Sequence, residues 1–502
     1  MKLNQLCMAY GRYFPESMAH EFMEVDKKIV ELSSRIPFGF YRETEDDFQQ
    51  IRSDHGDQRV FQALNYSTRE LHEWKHFIDF SGTAFGHMAQ GQSLRLLTRL
   101  LGAIWKSKCS VVFLPLKQWA QLGSCPRLLR EWVRDLESTD EFLRVIYGGF
   151  EIVEPNHGET GACSRRFAIG TKPVPLPCLP SSRDRLYVLG AASLLEGGAF
   201  ILQAYKIASL YGDNVGNWFF DEAVKRCSDG MLPYVGLSLL NENLLKRSFL
   251  PLDYALADFC LFMGYPESPL FIYIDCMDRL RSLEPRPRDS QPNLFFERFK
   301  AEVLDIPSML GACDRLIPQA DEWIHKTEQA PSRDRNLCVQ QRNDLETTYK
   351  QLLSLRRLDP DVFLDPKEFL VSADILPKPR VTVTRGSDAG FEPQFELRNK
   401  SIINWQWVIC IKLMNDIYDC QELVCPFKSL HIKCSLKGEN CEALYAFSPK
   451  HERCTLWEIL WRLGIDNVTF KSLRNRNVDS GSMKCETDTV NAYPTHGKTG
   501  SS

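Results

Sequence analysis

The chain has 502 residues, of which 44% are hydrophobic and 25% are charged, and its formal net charge is −4. This balance is typical of a folded globular protein, and the length predicts roughly two to four domains. The slightly acidic charge provides no basic field for nucleic acid, so a nucleic-acid partner is not indicated.

Two features bear on the compartment. Residues 1–18 contain Lys2 but no continuous apolar core, so we expect no secretory signal peptide and a cytoplasmic location. The longest apolar stretch, residues 186–205, has Glu196 at its middle, where a charge is costly in lipid. We therefore expect it to form a buried helix of a soluble protein without membrane contact.

The 17 cysteines are mostly scattered, which predicts reduced thiols rather than a disulfide framework.

The first elements in chain order are predicted from composition and periodicity. Residues 18–33 have a helical pattern, and residues 59–66 (RVFQALNY) are predicted to form a strand. Ser67, Thr68, Arg69 and Glu70 match a capping box, so a helix is predicted to begin there.

The following segments are mainly helical. Residues 93–108 and 127–146 are predicted as amphipathic helices on either side of a short buried strand, SVVFLPL. Residues 148–184 are predicted as a long loop, of the kind that is often functional or mobile. The apolar helix with Glu196 comes next, and helical patterns continue to about residue 357.

The predicted fold class is α+β, predominantly helical, with a smaller C-terminal cysteine-rich α/β module. Prolines are frequent in residues 358–386, which predicts a domain boundary there. We assign residues 1–375 to a large helical domain and residues 376–476 to a Cys/His-rich module. Residues 477–502 are predicted to be a disordered tail because Ser, Gly, Thr and charged residues dominate them.

The pentapeptide HEWKH places His72 and His76 four residues apart, with Glu73 next to the first histidine. On a helix this spacing puts both imidazoles on one face, where they can bind one metal ion. Chance would produce this pattern in about 0.01 of chains of this composition. The alternative is two histidines on a solvated helix face.

The residues around the histidines support a helix with one buried side. At about 100° per residue, Trp74, Phe77 and Ile78 fall opposite both histidines. The helix is therefore expected to pack this apolar side on a core and to turn the histidines toward a cleft.

HEWKH resembles the HExxH signature of the zincin metallopeptidases. The resemblance implies a zincin-like core in residues 1–375, with His72 and His76 as Zn²⁺ ligands. It also implies Glu73 as the general base that activates a zinc-bound water for hydrolysis of a peptide bond in a peptide or protein substrate. Zincins commonly hold substrate on an edge strand, a role available to the strand predicted at residues 59–66. Asp79 and Gly82 replace residues of the longer metzincin motif and exclude that subgroup.

The third ligand is open at this stage, with Glu196 as the main candidate. A buried carboxylate is costly unless it is protonated, paired or metal-bound, and the small residues beside Glu196 would let another helix approach closely. A glutamate on a downstream helix resembles the third ligand of the gluzincin branch. Glu196 could instead form a structural pair with an arginine or histidine. Asp79 is a candidate ligand or outer carboxylate, and His157 and His87 are weaker candidates.

Two further functional assignments stay open. Either Tyr205 or His157 is a candidate to stabilise the oxyanion of the transition state. Between Cys410 and Cys454 there are six cysteines and two histidines, which either bind a second, structural zinc or are small buried residues.

The leading functional hypothesis is a zinc metallopeptidase. The alternative is a non-catalytic interaction protein with a zincin-like structural core, whose C-terminal module recruits a protein or nucleic-acid partner. The intact Glu73 favours the enzyme, because a structural metal site does not need this residue.

Overall fold

The computed structural model of the chain describes its main helical body and several short strands. The described residues are 11–14, 19–23, 28–29, 31–34, 45–147, 152–153, 172–175, 186–226, 231–245, 249–265, 268–284, 291–328, 337–378, 381–385, 395–396, 402–421, 423 and 455–473. The fold is predominantly helical, as the sequence predicts.

The elements up to the Glu196 helix alternate between short strands and longer helices. They are β1 (Gly11–Phe14), β2 (Ala19–Met23), α1 (Glu45–His55), α2 (Asp57–Gly82), α3 (Ala84–Lys106), β3 (Val111–Leu114), α4 (Leu116–Trp119), α5 (Arg127–Tyr147), β4 (Ile152–Val153), β5 (Lys172–Pro175), β6 (Leu186–Leu189) and α6 (Ala191–Tyr211).

The elements after the Glu196 helix are mostly helical. They are α7 (Asp213–Lys225), α8 (Leu232–Leu245), α9 (Leu250–Met263), α10 (Pro269–Ser282), α11 (Pro292–Glu302), α12 (Ile306–Glu328), α13 (Leu337–Leu358), α14 (Asp361–Leu364), α15 (Pro366–Val371), β7 (Val381–Arg385), β8 (Phe395–Glu396), α16 (Ile402–Asp419), α17 (Thr455–Arg462) and β9 (Thr469–Ser472).

The HEWKH helix, α2, begins ten residues before the predicted capping box. The predicted strand at residues 59–66 is therefore wrong, because this segment forms the first turns of α2. Ser67 and Thr68 do not cap a helix start. Their hydroxyls donate to the carbonyl of Leu64, at 2.8 and 3.0 Å, as serine and threonine do inside helices. The real start follows Gly56, whose φ of 80° suits glycine.

The turn from α2 to α3 is tight and has a clear sequence cause. Thr83 separates the two helices, and its hydroxyl accepts a hydrogen bond from the backbone N–H of Gly86 at 3.0 Å. A Cβ added at Gly86 would lie 2.3 Å from the Cα of Phe80. Glycine is thus required where the start of α3 passes the end of α2.

Helix α6 lies in the centre of the helical core and packs against α2, α7, α8 and α9. The prediction of one apolar helix over residues 186–205 is correct only from Ala191 onward, because Leu186–Leu189 is the strand β6. A Cβ at Gly197 would come within 3.3 Å of the Leu237 side chain on α8. The predicted close approach of another helix beside Glu196 is therefore confirmed. Among the described helices, none is long and apolar enough to span a bilayer.

Of four other predicted elements, three agree with the structure. The helices predicted at residues 93–108 and 127–146 correspond to α3 and α5, and the buried strand in SVVFLPL is β3. The helix predicted over residues 18–33 is wrong at its start, because residues 19–23 form β2.

The strand pairing connects distant parts of the sequence. β2 pairs in parallel with β7, with Ala19 opposite Val381, and β3 pairs in parallel with β9, with Val111 opposite Thr469. Both pairings cross the predicted boundary at residue 375, which itself stays a prediction. The tail at residues 477–502 and most of the loop at residues 148–184 lie outside the described residues, although β4 and β5 belong to that loop segment.

Candidate metal centre

The structure brings His72, His76 and Glu196 together, although 120 residues separate the last two in sequence. The two histidines lie one turn apart on α2, and Glu196 lies on α6, which packs against α2. His72 Nε2 lies 3.0 Å from Glu196 Oε2 and 3.1 Å from His76 Nε2. His76 Nε2 lies 3.4 Å from the same carboxylate oxygen. Three ligand-type atoms thus meet at one point.

These separations match what a small tetrahedral cation requires. With metal–ligand bonds of about 2.0–2.1 Å, the ligand atoms of a tetrahedron stand about 3.3 Å apart. The three observed separations bracket this value. The three residues can therefore hold a metal ion with little movement, and they would leave a fourth position open.

The helix side opposite the histidines is buried as the sequence predicts. Phe77 and Ile78 are almost completely buried, and the ring of Trp74 packs against Phe369 with a centroid distance of 5.4 Å. The Trp74 indole N–H also donates to the carbonyl of Pro377 at 2.8 Å. Packing on this side fixes the rotation of α2, and thereby the direction of both imidazoles.

The charge of the cluster favours a bound cation. Glu196 is only 7% exposed, and its ion-pair partners among the described residues are His72 and His76, with no lysine or arginine within reach. With both imidazoles neutral, the cluster would carry an uncompensated buried negative charge, which is costly. Either a proton or a metal ion removes this cost.

The pKa values follow from the same arrangement. Burial lowers the pKa of His76, but the nearby Glu196 carboxylate outweighs burial and raises this pKa to about 9. Burial alone would raise the pKa of Glu196, but His76 and the hydrogen bonds from both imidazoles hold it well below its usual range. The carboxylate therefore stays ionised, which is the form that binds a metal ion.

Glu73 lies on α2 between the two histidines and is 2% exposed. Its negative charge is among those that raise the pKa of His76, so the carboxylate lies near the metal ligands. It is not part of the group of converging ligand atoms. Glu73 is therefore a buried carboxylate close to the candidate ligands without being part of the converging group.

Asp79 is not part of the converging group, although its charge is among those that raise the pKa of His76. Its Oδ1 accepts a short hydrogen bond from Lys75 Nζ on the same helix, and its Oδ2 has no hydrogen-bond partner among the described residues. Lys75 Nζ also lies 3.8 Å from Asp258 on α9, which pairs with Arg356 on α13. Asp79 therefore belongs to a buried network of charged residues, although the sequence predicts it on the helix face of the histidines.

The structure assigns the outer hydrogen bond of the site to Gln203, a residue that is not among those predicted from the sequence. Gln203 Oε1 lies 2.9 Å from His72 Nδ1, and the side chain is 1% exposed. The available signal was its position seven residues after Glu196, which places both side chains on the same face of α6. A polar amide on that face of an apolar helix needs a partner.

The other candidate residues have different positions. His87 is bonded to Glu346 at 3.2 Å and stacks on Tyr349, so it does not belong to the metal centre. Tyr205 is partly buried and packs against the hydrophobic core, and it makes no contact with the ligands that the structure records. The ring of Tyr234 on α8 lies closer, 5.7 Å from the His72 ring between centroids. His157 lies outside the described residues.

The predicted C-terminal metal cluster is only partly described. Cys410 is buried in α16, and Cys420 Sγ contacts Asp416 Oδ1 at 3.5 Å. The other cysteines and both histidines of this cluster lie outside the described residues, so the second zinc stays a prediction. None of the eight described cysteines forms a disulfide bond.

Sequence and structural similarity add no assignment for this centre. A scan against protein-family models, a search of curated proteins and a search of solved structures each found no match. The interpretation of the site therefore rests on its own chemistry: two imidazoles and one carboxylate, buried and convergent, that can hold a metal ion.

Proposed function

We propose that the protein is a zinc-dependent metallopeptidase with a zincin-like core. The observation that carries the proposal is the convergence of His72 Nε2, His76 Nε2 and Glu196 Oε2 within 3.0–3.4 Å, with Glu73 on the same helix. A chance HExxH sequence would not be expected to meet a buried carboxylate from a distant helix. The substrate class we propose is a peptide or protein.

The donor set favours zinc over the other common divalent ions. Mg²⁺ and Ca²⁺ prefer oxygen ligands only, whereas two imidazoles and one carboxylate are a common catalytic zinc set. Three protein ligands also leave one position for water or substrate, whereas structural zinc sites usually have four protein ligands. His72, His76 and Glu196 would hold the ion.

The roles of the chain's own groups follow from their positions. Bound zinc would supply Lewis acidity, polarising the substrate carbonyl and acidifying water. Glu73 takes a proton from the attacking water while the water oxygen forms a bond to the carbonyl carbon. The same carboxyl then gives that proton to the amide nitrogen when the C–N bond breaks. Glu73 and Glu196 are buried, and electrostatic interactions are stronger in such a site than in water. Polarisation of the carbonyl and acidification of the water would both gain from this.

Two observations favour the non-catalytic alternative. The residues that would bind the metal are 3–7% exposed, and the segment predicted as a substrate-holding strand is helical. A structural metal would suit such burial equally well. Under the alternative, Glu73 would be a buried structural carboxylate that takes no proton, so the two functions differ in what they require of this residue.

Removal of the metal tests the proposal. The full-length protein is incubated with a quenched fluorescent peptide library, with 1,10-phenanthroline or with its non-chelating 1,7 isomer. We expect the chelator alone to abolish cleavage and Zn²⁺ to restore it, because the proposed reaction depends on the bound ion to polarise the carbonyl and to acidify water. Cleavage that persists at full rate in the metal-free protein would contradict the proposal.

A further inference from the structure

The outer hydrogen bonds around His72 form a chain with a defined direction. Gln203 lies on α6 two turns after Glu196, so one helix provides both a metal ligand and the group that contacts the back of another ligand. Thr68 and Asn65, one and two turns before His72 on α2, contact the other end of the Gln203 amide.

The direction is set at Thr68. Its hydroxyl donates to the carbonyl of Leu64 at 3.0 Å, so its oxygen is left to accept a hydrogen bond. Gln203 Nε2 lies 3.0 Å from this oxygen and 3.1 Å from Asn65 Oδ1. Both neighbours are acceptors, and the amide must therefore direct its NH₂ group toward them.

The opposite end of the amide then determines the state of His72. With the NH₂ group engaged, Gln203 presents its carbonyl oxygen to His72 Nδ1 at 2.9 Å. A carbonyl oxygen accepts only, so Nδ1 must carry the proton. In the neutral imidazole the lone pair is then on Nε2, the atom that lies among the ligand atoms of Glu196 and His76.

The second histidine has no equivalent support. His76 Nδ1 is buried and has no hydrogen-bond partner among the described residues. The two histidines of the HEWKH helix therefore differ: His72 has a hydrogen-bond partner on both ring nitrogens, whereas His76 makes its polar contacts through Nε2 alone. Among the described residues, an outer hydrogen bond to Nδ1 can therefore affect metal affinity through His72 but not through His76.

We propose that Gln203, oriented by Thr68, is a positioning residue that fixes His72 as the Nδ1–H tautomer and thereby sets the metal affinity of the centre. This inference rests on the metal binding assumed in the proposed function and does not require hydrolysis. This role explains why an amide is buried in the apolar helix α6. Its carbonyl oxygen contacts His72, and its NH₂ group donates to Thr68.

The test is Zn²⁺ affinity, measured on the full chain by competition with a chromogenic chelator. In Gln203→Leu we expect affinity to fall about 10- to 100-fold, because outer partners of metal-binding histidines have effects of this size. Thr68→Val removes one of the two acceptors that orient the amide and leaves Asn65 Oδ1, so we expect a smaller loss.

Gln341→Leu is the matched control, since Gln341 is also 1% exposed and lies on α13 without bonds to the metal ligands. The visible spectrum of bound Co²⁺ is a second measurement, because it reports coordination geometry. It should change in Gln203→Leu and remain unchanged in the control.

Two outcomes would overturn the inference. One is a folded Gln203→Leu or Thr68→Val protein with wild-type Zn²⁺ affinity and Co²⁺ spectrum. The other is an equal loss of affinity in Gln341→Leu, which would indicate general damage to the core. If the wild type binds Zn²⁺ tightly but cleaves no peptide, the proposed function fails while this inference stands.

Discussion

Replacement of Glu73 by glutamine is expected to lower kcat/KM for peptide hydrolysis by about 10²- to 10⁴-fold, the usual contribution of a general base. Glutamine has nearly the same shape but cannot take a proton from water at neutral pH. Because Glu73 is not among the three converging ligand atoms, the variant should keep its metal. The measurement is kcat/KM on a cleaved peptide, together with zinc content.

Glu70→Gln is the matched control for this prediction. Glu70 lies on the same helix, less than one turn before Glu73, and is exposed. It should retain wild-type activity. A Glu73→Gln protein that hydrolyses peptide as fast as the wild type would remove the proposed base from the mechanism. Loss of zinc from this variant would instead show that Glu73 helps to hold the metal.

Arg356→Met is expected to be the most destabilising single change near the centre. Arg356 is completely buried, and its guanidinium makes two hydrogen bonds to Asp258, one of them at 3.1 Å from Nη2 to Oδ1. With Lys75 and Asp79 it forms a network of two cations and two anions. Loss of the arginine leaves a buried anion without compensation, at a cost of about 3–5 kcal/mol in unfolding free energy.

The next residue provides the control. Arg357 pairs with Asp314, and both side chains are more than half exposed, so Arg357→Met should cost about 0–1 kcal/mol. Urea denaturation of both variants gives the comparison. The double variant Arg356→Met with Asp258→Asn should be more stable than Arg356→Met alone, because the orphaned charge is removed. Equal losses in the two single variants would contradict this account of the network.

This network also connects stability to the metal centre. Lys75 lies directly before His76, and Asp79 lies in the following turn of α2. Through Asp258 and Arg356, these residues attach the HEWKH helix, α2, to α9 and α13. We therefore expect Arg356→Met to weaken metal binding as well, through loss of the fixed position of α2.

The three residues that converge could be singled out from the sequence because each has a local signal. His72 and His76 have helical spacing with an apolar opposite side, and Glu196 is a charge inside a long apolar segment. Each of these signals can be recognised within the sequence of a single helix. The meeting of Glu196 with the histidines depends on the packing of α6 against α2, and only the structure provides it.

The errors have a common physical cause, which is that polar side chains have several possible partners. Ser67 and Thr68 bond to a preceding helical carbonyl, although the sequence equally permits a helix cap. Asp79 lies on the face of the histidines, but Lys75 neutralises it. The role of Gln203 depends on Thr68, 135 residues earlier, so no local pattern could predict it.

The central claim is that His72, His76 and Glu196 together bind one zinc ion. Its most direct test is zinc content per chain, measured by mass spectrometry on folded wild type, His76→Ala and Glu196→Ala, with His87→Ala as the control histidine. We predict one zinc per chain in the wild type and the control, and loss of this zinc in the other two variants. Zinc retained at the wild-type level in both His76→Ala and Glu196→Ala would contradict the claim and move the metal elsewhere, with the cysteines between Cys410 and Cys454 as the next site to test.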